Sequence, residues 1–454
     1  MTPHDAQDRF ECVVVGGGLS GLVAGLRLAE QGVRVAVLEA SGELGGRART
    51  IEVTGRPVDR GFQSLFTAYP ATRRLIRDVG IRDDDLSPFD RGSVVYGDDG
   101  WSRMGTSPRG ALGFAGFTTG DVVRLGRLGA EIAALSAERV LWGDEREMTM
   151  LAYLQARGFS ERAIEGFFRP LFGVITADRS LGSDAGYFRF LMQMLLRGRA
   201  VIPVEGHGMI ARWTGAALQQ AGGAVRLGST VVEVFTEPGD RGRARGVRLD
   251  GGQVVNADCV VLATEAPTTR RLLADLDRQS ARALDLVPRG VTTLVYALTR
   301  PLYSGRTIIL NGARGPSAGA RIDLVCQESN LLPRAEALPD VLLATSVDGP
   351  EGASDPDDLA GAMEAMISRW SPRFPWRRHA RLAEVVRHEA AQFAVPPGVR
   401  DDLPGPATAQ ENVLLAGDQT MHPSIEGAVA SGERAAALAS AVVARQGGMG
   451  PMTP

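Results

Sequence analysis

Residues 11–40, ECVVVGGGLSGLVAGLRLAEQGVRVAVLEA, decide the fold of this chain. The apolar run at 12–15 predicts a buried parallel strand, and the Leu and Ala residues after it recur at helical spacing until Gly32. A second apolar run at 33–38 ends at Glu39. Strand, helix and strand form a βαβ unit, whose right-handed crossover places both strands in one parallel sheet. We therefore predict an α/β protein built on a Rossmann-like domain.

The turn between the first strand and the helix reads GGGLSG from Gly16 to Gly21, which satisfies GxGxxG. In that pattern the first glycine allows a tight turn, Gly18 lets a pyrophosphate approach the backbone, and the last lets the helix pack close to the strand. The helix N-terminus at Leu19 and Ser20 offers unpaired N–H groups to phosphates. The turn is thus typical of a dinucleotide site.

Glu39 stands at the end of the second strand, next to Ala40. A carboxylate there can accept both hydroxyls of an adenosine ribose. The alternative is a structural Gly-rich turn with a solvated Glu. Because strand, helix and acid are all in place, the pattern favours the dinucleotide site.

A second Gly-rich segment, GGRART, spans residues 45–50. Gly46 frees the backbone to pass near a phosphate, and Arg47 can fork two hydrogen bonds onto it. A nicotinamide dinucleotide rarely needs this second clamp, so the segment favours FAD. Taken alone, it is equally consistent with a basic surface turn.

The third segment joins LLAGD at 414–418 to PSIEGAVASG at 423–432. Asp418, which follows Gly417 at a predicted strand end, can accept a hydrogen bond from a ribityl chain. A helix that starts near Gly427 would point its N-terminus at the flavin pyrimidine edge and stabilise the negative charge formed there on reduction. The alternative is an ordinary strand–loop–helix crossover in which the glycines only pack.

Together the three segments resemble the superfamily of flavin amine oxidases, protoporphyrinogen oxidases and phytoene desaturases. The resemblance covers both ends of the chain and the pieces AGGAVRLGSTVVEV and DCVVLATEAP. It implies non-covalent FAD, with the ribose on Glu39, the adenine on Val231, and the backbone of Phe62 and Gln63 nearest the flavin ring. The cofactor contacts it implies are Gly16, Gly18, Leu19, Ser20, Gly21, Glu39, Ala40, Gly46, Arg47, Gly61, Phe62, Gln63, Val231, Gly417, Asp418, Ile425 and Ala428.

The chain departs from the amine-oxidase pattern at two points. It contains no Lys, so all 50 basic residues are Arg, whereas amine oxidases of this group commonly use a Lys to hold a water near flavin N5. They also usually carry an aromatic residue where this chain has Ser424. His422-Pro423 is similar to the HP of carotenoid desaturases, and His422 either faces substrate or caps a loop. These departures favour the desaturase-like branch.

Three separated segments read as pieces of one sheet, and the two inserts between them read as a second lobe. Residues 70–199 look mainly helical, and 266–404 mixes strands such as VTTLVYAL and DVLLATSV with a helix near 357–370. We predict an FAD-binding domain of 1–69, 200–265 and 405–446, a substrate-binding lobe of 70–199 and 266–404, and a tail at 447–454.

Aromatic residues concentrate in the helical insert, where they either line an apolar tunnel or simply pack a core, and core packing is the simpler interpretation. These residues are Phe114, Phe117, Phe167, Phe168, Phe172, Tyr187, Phe188 and Phe190. A second cluster, RWSPRFPWRR at 369–378, mixes Arg with aromatics. It either touches a membrane surface or forms a solvated loop, and we favour the loop.

Composition excludes several classes of protein. A net charge of −3 does not suggest a nucleic-acid partner. The three Cys and five His are scattered without ligand-like spacing, so we expect no metal site. The first ten residues do not read as a signal peptide, and no window has the length and apolarity of a membrane span. We expect a cytoplasmic protein, with peripheral contact at a membrane as the variant.

These patterns predict an FAD-dependent oxidase or dehydrogenase that desaturates an apolar or polycyclic small molecule. Hydride would pass from a substrate carbon to flavin N5, and oxygen or a quinone would accept the electrons. The alternatives are a Lys-free amine or amino-acid oxidase, a redox-neutral flavin-dependent isomerase, and a non-catalytic flavoprotein. The sequence identifies no catalytic acid or base.

Overall fold

A computed structural model describes residues 9–97, 100–105, 108–236, 243–313, 321–333, 337–349 and 352–446. The predicted tail at 447–454 and the first eight residues lie outside this part of the chain.

Its strands, in chain order, are β1 Arg9–Val15, β2 Val35–Leu38, β3 Thr50–Val53, β4 Arg56–Asp59, β5 Leu65–Phe66, β6 Leu86–Pro88, β7 Ser93–Gly97, β8 Gly100–Met104, β9 Ala200–Pro203, β10 Ala224–Arg226, β11 Val231–Thr236, β12 Ala244–Leu249, β13 Val254–Leu262, β14 Pro288–Leu298, β15 Ile308–Asn311, β16 Leu324–Cys326, β17 Asp340–Val347, β18 Ala380–Phe393 and β19 Val413–Leu415.

Its α-helices are α1 Leu19–Glu30, α2 Pro70–Asp78, α3 Pro108–Leu112, α4 Thr119–Ala133, α5 Ala137–Leu141, α6 Met150–Ala156, α7 Glu161–Ala163, α8 Arg169–Ile175, α9 Ala185–Arg197, α10 Gly208–Gln220, α11 Ala266–Leu273, α12 Arg278–Ala283, α13 Pro356–Trp370, α14 Trp376–His379, α15 Val399–Asp402 and α16 Ile425–Gln446.

The first sheet contains the predicted βαβ unit. Its strand order is β10-β2-β1-β13-β12-β11, with β19 also paired to β13. β1 pairs in parallel with both β2 and β13, as the crossover rule requires. The strands come from three separate stretches of sequence, so the pieces that the sequence suggested belong together do share one sheet. The α/β fold class is confirmed, whereas the domain boundaries stay a prediction.

Apolar runs in β1 and β13 make this sheet the centre of a core. Cys12 and Cys259 face each other in register across the two strands and are fully buried, so they serve as small core side chains. Each of the two thiols is free. The proximity of Cys259 and burial raise the pKa of the Cys12 thiol well above its ordinary value, so it is kept protonated.

A second, largely antiparallel sheet has the order β18-β14-β17-β16-β15-β7-β8. Helix α13 covers it, with Leu359 and Met363 packed into the same apolar cluster as Leu294 and Leu342. β14, β17 and α13 match the predicted strands and helix. β18 was not predicted, although it is the longest strand in the described chain.

The stretch 70–199 is mainly helical, as predicted, but it contributes three short strands that the sequence did not indicate. β7 and β8 form a hairpin that extends the second sheet, and β6 pairs with β9. Residues 150–175 form α6, α7, a π-helical turn at Ile164–Phe168 and α8 in succession. These elements bury Phe168 and Phe172 completely.

The Arg-rich segment at 369–378 turns its aromatic residues inward. Trp370, Phe374 and Trp376 join the cluster under α13 and are at most 9% exposed. Arg377, by contrast, is exposed and bonds Glu364. The Arg side of the segment thus faces solvent, while its aromatic side stabilises the core.

Candidate cofactor and substrate site

A cavity of about 1230 Å³ extends from the Gly-rich turn after β1 to the helices of residues 70–199. Every predicted cofactor contact lines it except Gly21. The cavity therefore brings together residues that lie as far apart in sequence as Gly16 and Ala428.

The three glycines of the first turn differ in what surrounds them. Gly16 has φ +111°, a conformation that L side chains rarely adopt. A Cβ on Gly21 would lie 2.0 Å from the carbonyl oxygen of Gly16, so α1 packs directly on the turn. A Cβ on Gly18 would meet nothing within 4 Å, because that side of the backbone faces open space. These conformations fit the predicted turn and helix packing, and the contact of Gly18 with a pyrophosphate stays a prediction.

The segment at 45–50 packs against this turn. Gly45 N donates to Gly17 O at 2.9 Å, and an isolated bridge joins Gly45 to Gly18. Gly45 and Gly46 both have positive φ, at +115° and +54°. The two Gly-rich turns therefore form one backbone cradle at the edge of the cavity.

Glu39 is fixed at the end of β2 by the cradle itself. Its Oε2 accepts from Gly17 N at 2.7 Å, and its Oε1 accepts from Ser41 N and Ser41 Oγ at 2.9 and 2.8 Å. Oε1 already accepts two hydrogen bonds, whereas Oε2 keeps a second lone pair. Glu39 can thus orient the turn and still accept a ribose hydroxyl through Oε2 from the cavity that it lines.

Arg47 makes an ion pair with Asp418, at 2.6 Å between Nη2 and Oδ1. Its Nη1 donates to Ala391 O at 3.0 Å, and its backbone carbonyl accepts from Gln63 Nε2 at 2.7 Å. The nearby Asp418 carboxylate holds the pKa of Arg47 above its ordinary value. Arg47 therefore connects three predicted contact regions, and its role on a phosphate stays a prediction.

The third segment begins its helix at Ile425, two residues before Gly427. Ser424 Oγ accepts from Gly427 N at 2.9 Å and so caps the first turn of α16. His422 Nδ1 bonds Ser424 Oγ at 3.0 Å. Burial lowers the pKa of His422 to about 3, and the residue does not line the cavity. These contacts favour the loop-capping role over a substrate-facing one.

The model of one protein family, described as flavin containing amine oxidoreductase, matches residues 19–439. The chain belongs to this family. It is an FAD-dependent oxidoreductase. The alignment with coproporphyrinogen III oxidase of Mycobacterium leprae is 26% identical and covers 63% of this chain and 66% of the relative. The alignment with the neurosporene-forming phytoene desaturase of Cereibacter sphaeroides is 27% identical and covers 60% of this chain and 57% of the relative.

A further relative matches over nearly the full length of both chains. Hydroxysqualene dehydroxylase of Rhodopseudomonas palustris is 26% identical over 94% of this chain and 97% of its own. Among solved structures, an oxidoreductase from Methanosarcina mazei superposes with a TM-score of 0.71 at 18% identity, covering 93% of this chain and 98% of that one. The structural likeness supports the fold.

The residues around the cradle fit the flavin cofactor of this family. Gly18 leaves its outer side open, Glu39 presents a fixed carboxylate, and the N-terminus of α1 faces the same space. Asp418 and the capped N-terminus of α16 line the cavity next to the cradle, where Asp418 pairs with Arg47 and Ser20 Oγ donates to Ala428 O at 2.9 Å. The chain thus supplies donors for phosphates and acceptors for hydroxyls around one space.

Beyond the cradle, most of the side chains that line the cavity are apolar. Of the eight aromatic residues singled out in the helical insert, Phe167 and Tyr187 line it, and the others pack in the core. Core packing is therefore the main role of that cluster. The lining also includes apolar side chains of the three helices α4, α8 and α9 and of residues preceding α2, namely Phe62, Phe66, Tyr69, Val122, Leu125, Leu171, Val174, Ile175, Leu191, Met192, Leu195 and Leu196.

Sequence reasoning missed His388, which lines the cavity from β18. Its Nε2 lies 2.8 Å from Arg60 O, in the segment expected to pass the flavin ring. The signal was present only as one of five scattered histidines, because β18 itself was not predicted.

Two negative findings apply to the part of the chain that the structure describes. None of its helices has both the length and the apolarity needed to cross a membrane. It also contains no cluster of three or more His, Cys, Asp or Glu side chains arranged to hold a metal ion.

Proposed function

We propose that this protein desaturates an apolar or polycyclic small molecule. The bound flavin would accept a hydride from a substrate carbon, and the protein would supply position and electrostatics. Residues 1–69, 200–265 and 405–446 would bind the cofactor, and the remaining lobe would bind the substrate. Oxygen or a quinone would take up the electrons.

One observation carries the proposal: the same cavity contains the flavin cradle and a long apolar pouch. Of the described residues in 70–199 that line it, Asp90 is the one carboxylate; Arg91 follows it in sequence, and Arg199 donates to the carbonyl of Phe89 at 3.1 Å. A cationic amine therefore meets little negative charge in the pouch. An apolar ligand, by contrast, gains free energy from burial, at about 25 cal/mol per Å².

Ser424 supports the same choice. It lines the cavity at the position where the resemblance leads one to expect one wall of an aromatic amine cage. Its hydroxyl caps α16 and so is engaged by the backbone. Tyr187 lies nearby, but its hydroxyl donates to Pro423 O at 2.8 Å. The side chains here build a neutral wall.

The relatives' names give the proposal its substrate classes. Two of them are named for a phytoene desaturase and a hydroxysqualene dehydroxylase, and a third for a coproporphyrinogen oxidase. Linear polyisoprenoids and porphyrinogens are therefore the first candidates. Membrane contact is a separate prediction, and the inward aromatics of 369–378 argue against that segment as its site.

The test is anaerobic mixing of the FAD-loaded protein with three groups of compounds: linear polyisoprenoids, porphyrinogens, and primary amines or amino acids. We expect bleaching of the oxidised flavin band by a member of the first two groups, with a product two hydrogens lighter. Bleaching by an amine alone would establish the oxidase alternative instead. A product of unchanged mass would indicate an isomerase.

A further inference from the structure

His388 lies at the wall of the cavity on β18, opposite Val291 of β14. It is half-buried and lines the cavity together with Val291, Ala391 and Gln392. The position is therefore within the proposed reaction space and outside the cradle that we propose binds phosphates.

The hydrogen bond to Arg60 determines which nitrogen carries the proton. The carbonyl oxygen of Arg60 can only accept, so Nε2 must donate across the 2.8 Å contact. Nδ1 of the neutral ring is then left with a lone pair. Among the described residues it has no hydrogen-bond partner, and it is not one of the enclosed polar atoms that lack one. Nδ1 is therefore not fully enclosed, and it belongs to a residue that lines the cavity.

The packing around the ring places it next to Gly61. A Cβ built on Gly61 would lie 3.7 Å from Cδ2 of His388 and 3.6 Å from Thr293 Oγ1. Thr293 Oγ1 in turn lies 3.1 Å from Thr345 Oγ1, and Thr345 lines the cavity. His388 and two hydroxyl groups thus surround the backbone that the resemblance places along the flavin.

The charges that face His388 are positive. Arg60 comes from the segment after β4, and Arg47 and Arg49 come from the second Gly-rich segment, whereas the facing residues of β14 and β17 are uncharged. Burial, and then these arginines, lower the pKa of His388 below its ordinary value, against the opposing effect of the Arg60 carbonyl. The ring is thus neutral at neutral pH and able to accept a proton.

We propose that His388 is the proton acceptor of the dehydrogenation, through Nδ1. This rests on the proposed function. One substrate carbon loses a hydride to the bound flavin, and the neighbouring carbon loses a proton to Nδ1. The electron pair of that second C–H bond becomes the new C=C bond. Oxygen or a quinone later takes up the two electrons together with the hydrogen that the flavin received, and His388 releases its proton to solvent.

The experiment follows the flavin midpoint potential against pH by spectroelectrochemistry, without any substrate. Reduction adds negative charge to the cavity, so it raises the affinity of His388 for a proton. We expect a pH window in which the potential of the wild type changes more steeply than that of H388Q, bounded below by the lowered pKa of His388 beside oxidised flavin and above by its raised pKa beside reduced flavin. The difference should be tenfold in the equilibrium constant per pH unit, about 30 mV for a two-electron couple.

H388Q keeps an amide donor for the Arg60 carbonyl but has no basic nitrogen, so it separates proton transfer from positioning. The matched control is H379Q. His379 lies on the neighbouring α14, its imidazole bonds Thr299, and it does not line the cavity. H379Q should follow the wild-type curve. Coincident curves for the wild type and H388Q would overturn the proposal.

Should H388Q fail to hold FAD, NMR titration of the wild-type imidazoles replaces it. A His388 pKa that does not rise when the flavin is reduced would equally overturn the proposal. Neither measurement uses a substrate. Failure here therefore leaves the proposed desaturation standing, and failure of the compound panel leaves the proton-uptake result standing.

Discussion

Replacing Gly18 by Ala separates the fold of the cradle from its use. Gly18 has φ −73° and ψ 175°, an extended conformation that alanine adopts without strain. A Cβ there meets nothing within 4 Å in the protein. The apoprotein should therefore keep its stability, or gain about 0.4–1 kcal/mol because alanine restricts the unfolded chain.

The cofactor should respond differently. The new methyl group would point into the space where the pyrophosphate is expected, opposite Gly46, whose own Cβ would lie 3.5 Å from the Gly18 Cα. Overfilling a packed contact costs about 1–3 kcal/mol. At 1.4 kcal/mol for each factor of ten, FAD should bind roughly 5- to 150-fold more weakly.

The assay pairs thermal unfolding of the apoprotein with FAD titration followed by quenching of flavin fluorescence. Gly21→Ala is the matched control, because its Cβ would lie 2.0 Å from the Gly16 carbonyl oxygen and force α1 off the turn. That variant should lower the apoprotein Tm. Wild-type FAD affinity in Gly18→Ala would refute the placement of the pyrophosphate. A fall in the apoprotein Tm of Gly18→Ala as large as that of Gly21→Ala would refute the account of the turn.

Three further changes test other parts of the site. Glu39→Ala should weaken FAD binding by about 1.5–3 kcal/mol, the range for a hydrogen bond to a charged group, while Glu43→Ala in the same loop should not; equal affinities would remove Glu39 from the site. Leu125→Glu, in the cavity wall, should abolish flavin bleaching by apolar compounds and spare FAD affinity, whereas Val123→Glu on the exposed face of the same helix should change neither. Asp121 is buried, and burial raises the pKa of its carboxyl group. Hydrogen-bond donors at two helix N-caps outweigh this effect and lower the pKa below its ordinary value. Its contribution to stability is thus present above about pH 4 and is lost as pH falls through the lowered pKa, so denaturant unfolding of Asp121→Asn should show a smaller acid-induced loss of stability than the wild type.

The cradle could be predicted because its constraints are local. Gly16, Gly18 and Gly21 act through backbone conformation and close approach, which the identity of one residue type at fixed spacing determines. The apolar runs of β1 and β2 are buried on both faces, so they read as strands without knowledge of their neighbours. The same holds for the helix after Ser424, whose start differed from the prediction by only two residues.

Strand β18 could not be predicted, because its apolar residues follow neither the alternating period of a strand nor the 3.6-residue period of a helix. ARLAEVVRHEAAQF is rich in Ala, Arg and Glu, which favour helices, and its apolar residues do not alternate. What makes it a strand is its long antiparallel pairing with β14, which is interrupted by two shifts in register. Such pairing is a tertiary effect that overrides local preference.

The pairing of β18 with β14 also decides the chemistry of the site: one shift in register lies between Arg289 and Val291, and His388 pairs with Val291 just beyond it. Since side chains alternate between faces along a strand, a register moved by one residue would turn the imidazole away from the Arg60 carbonyl. A proton acceptor built in this way depends on pairing between distant segments. This explains why the first forty residues are enough to predict a cofactor site, whereas the sequence identifies no catalytic base.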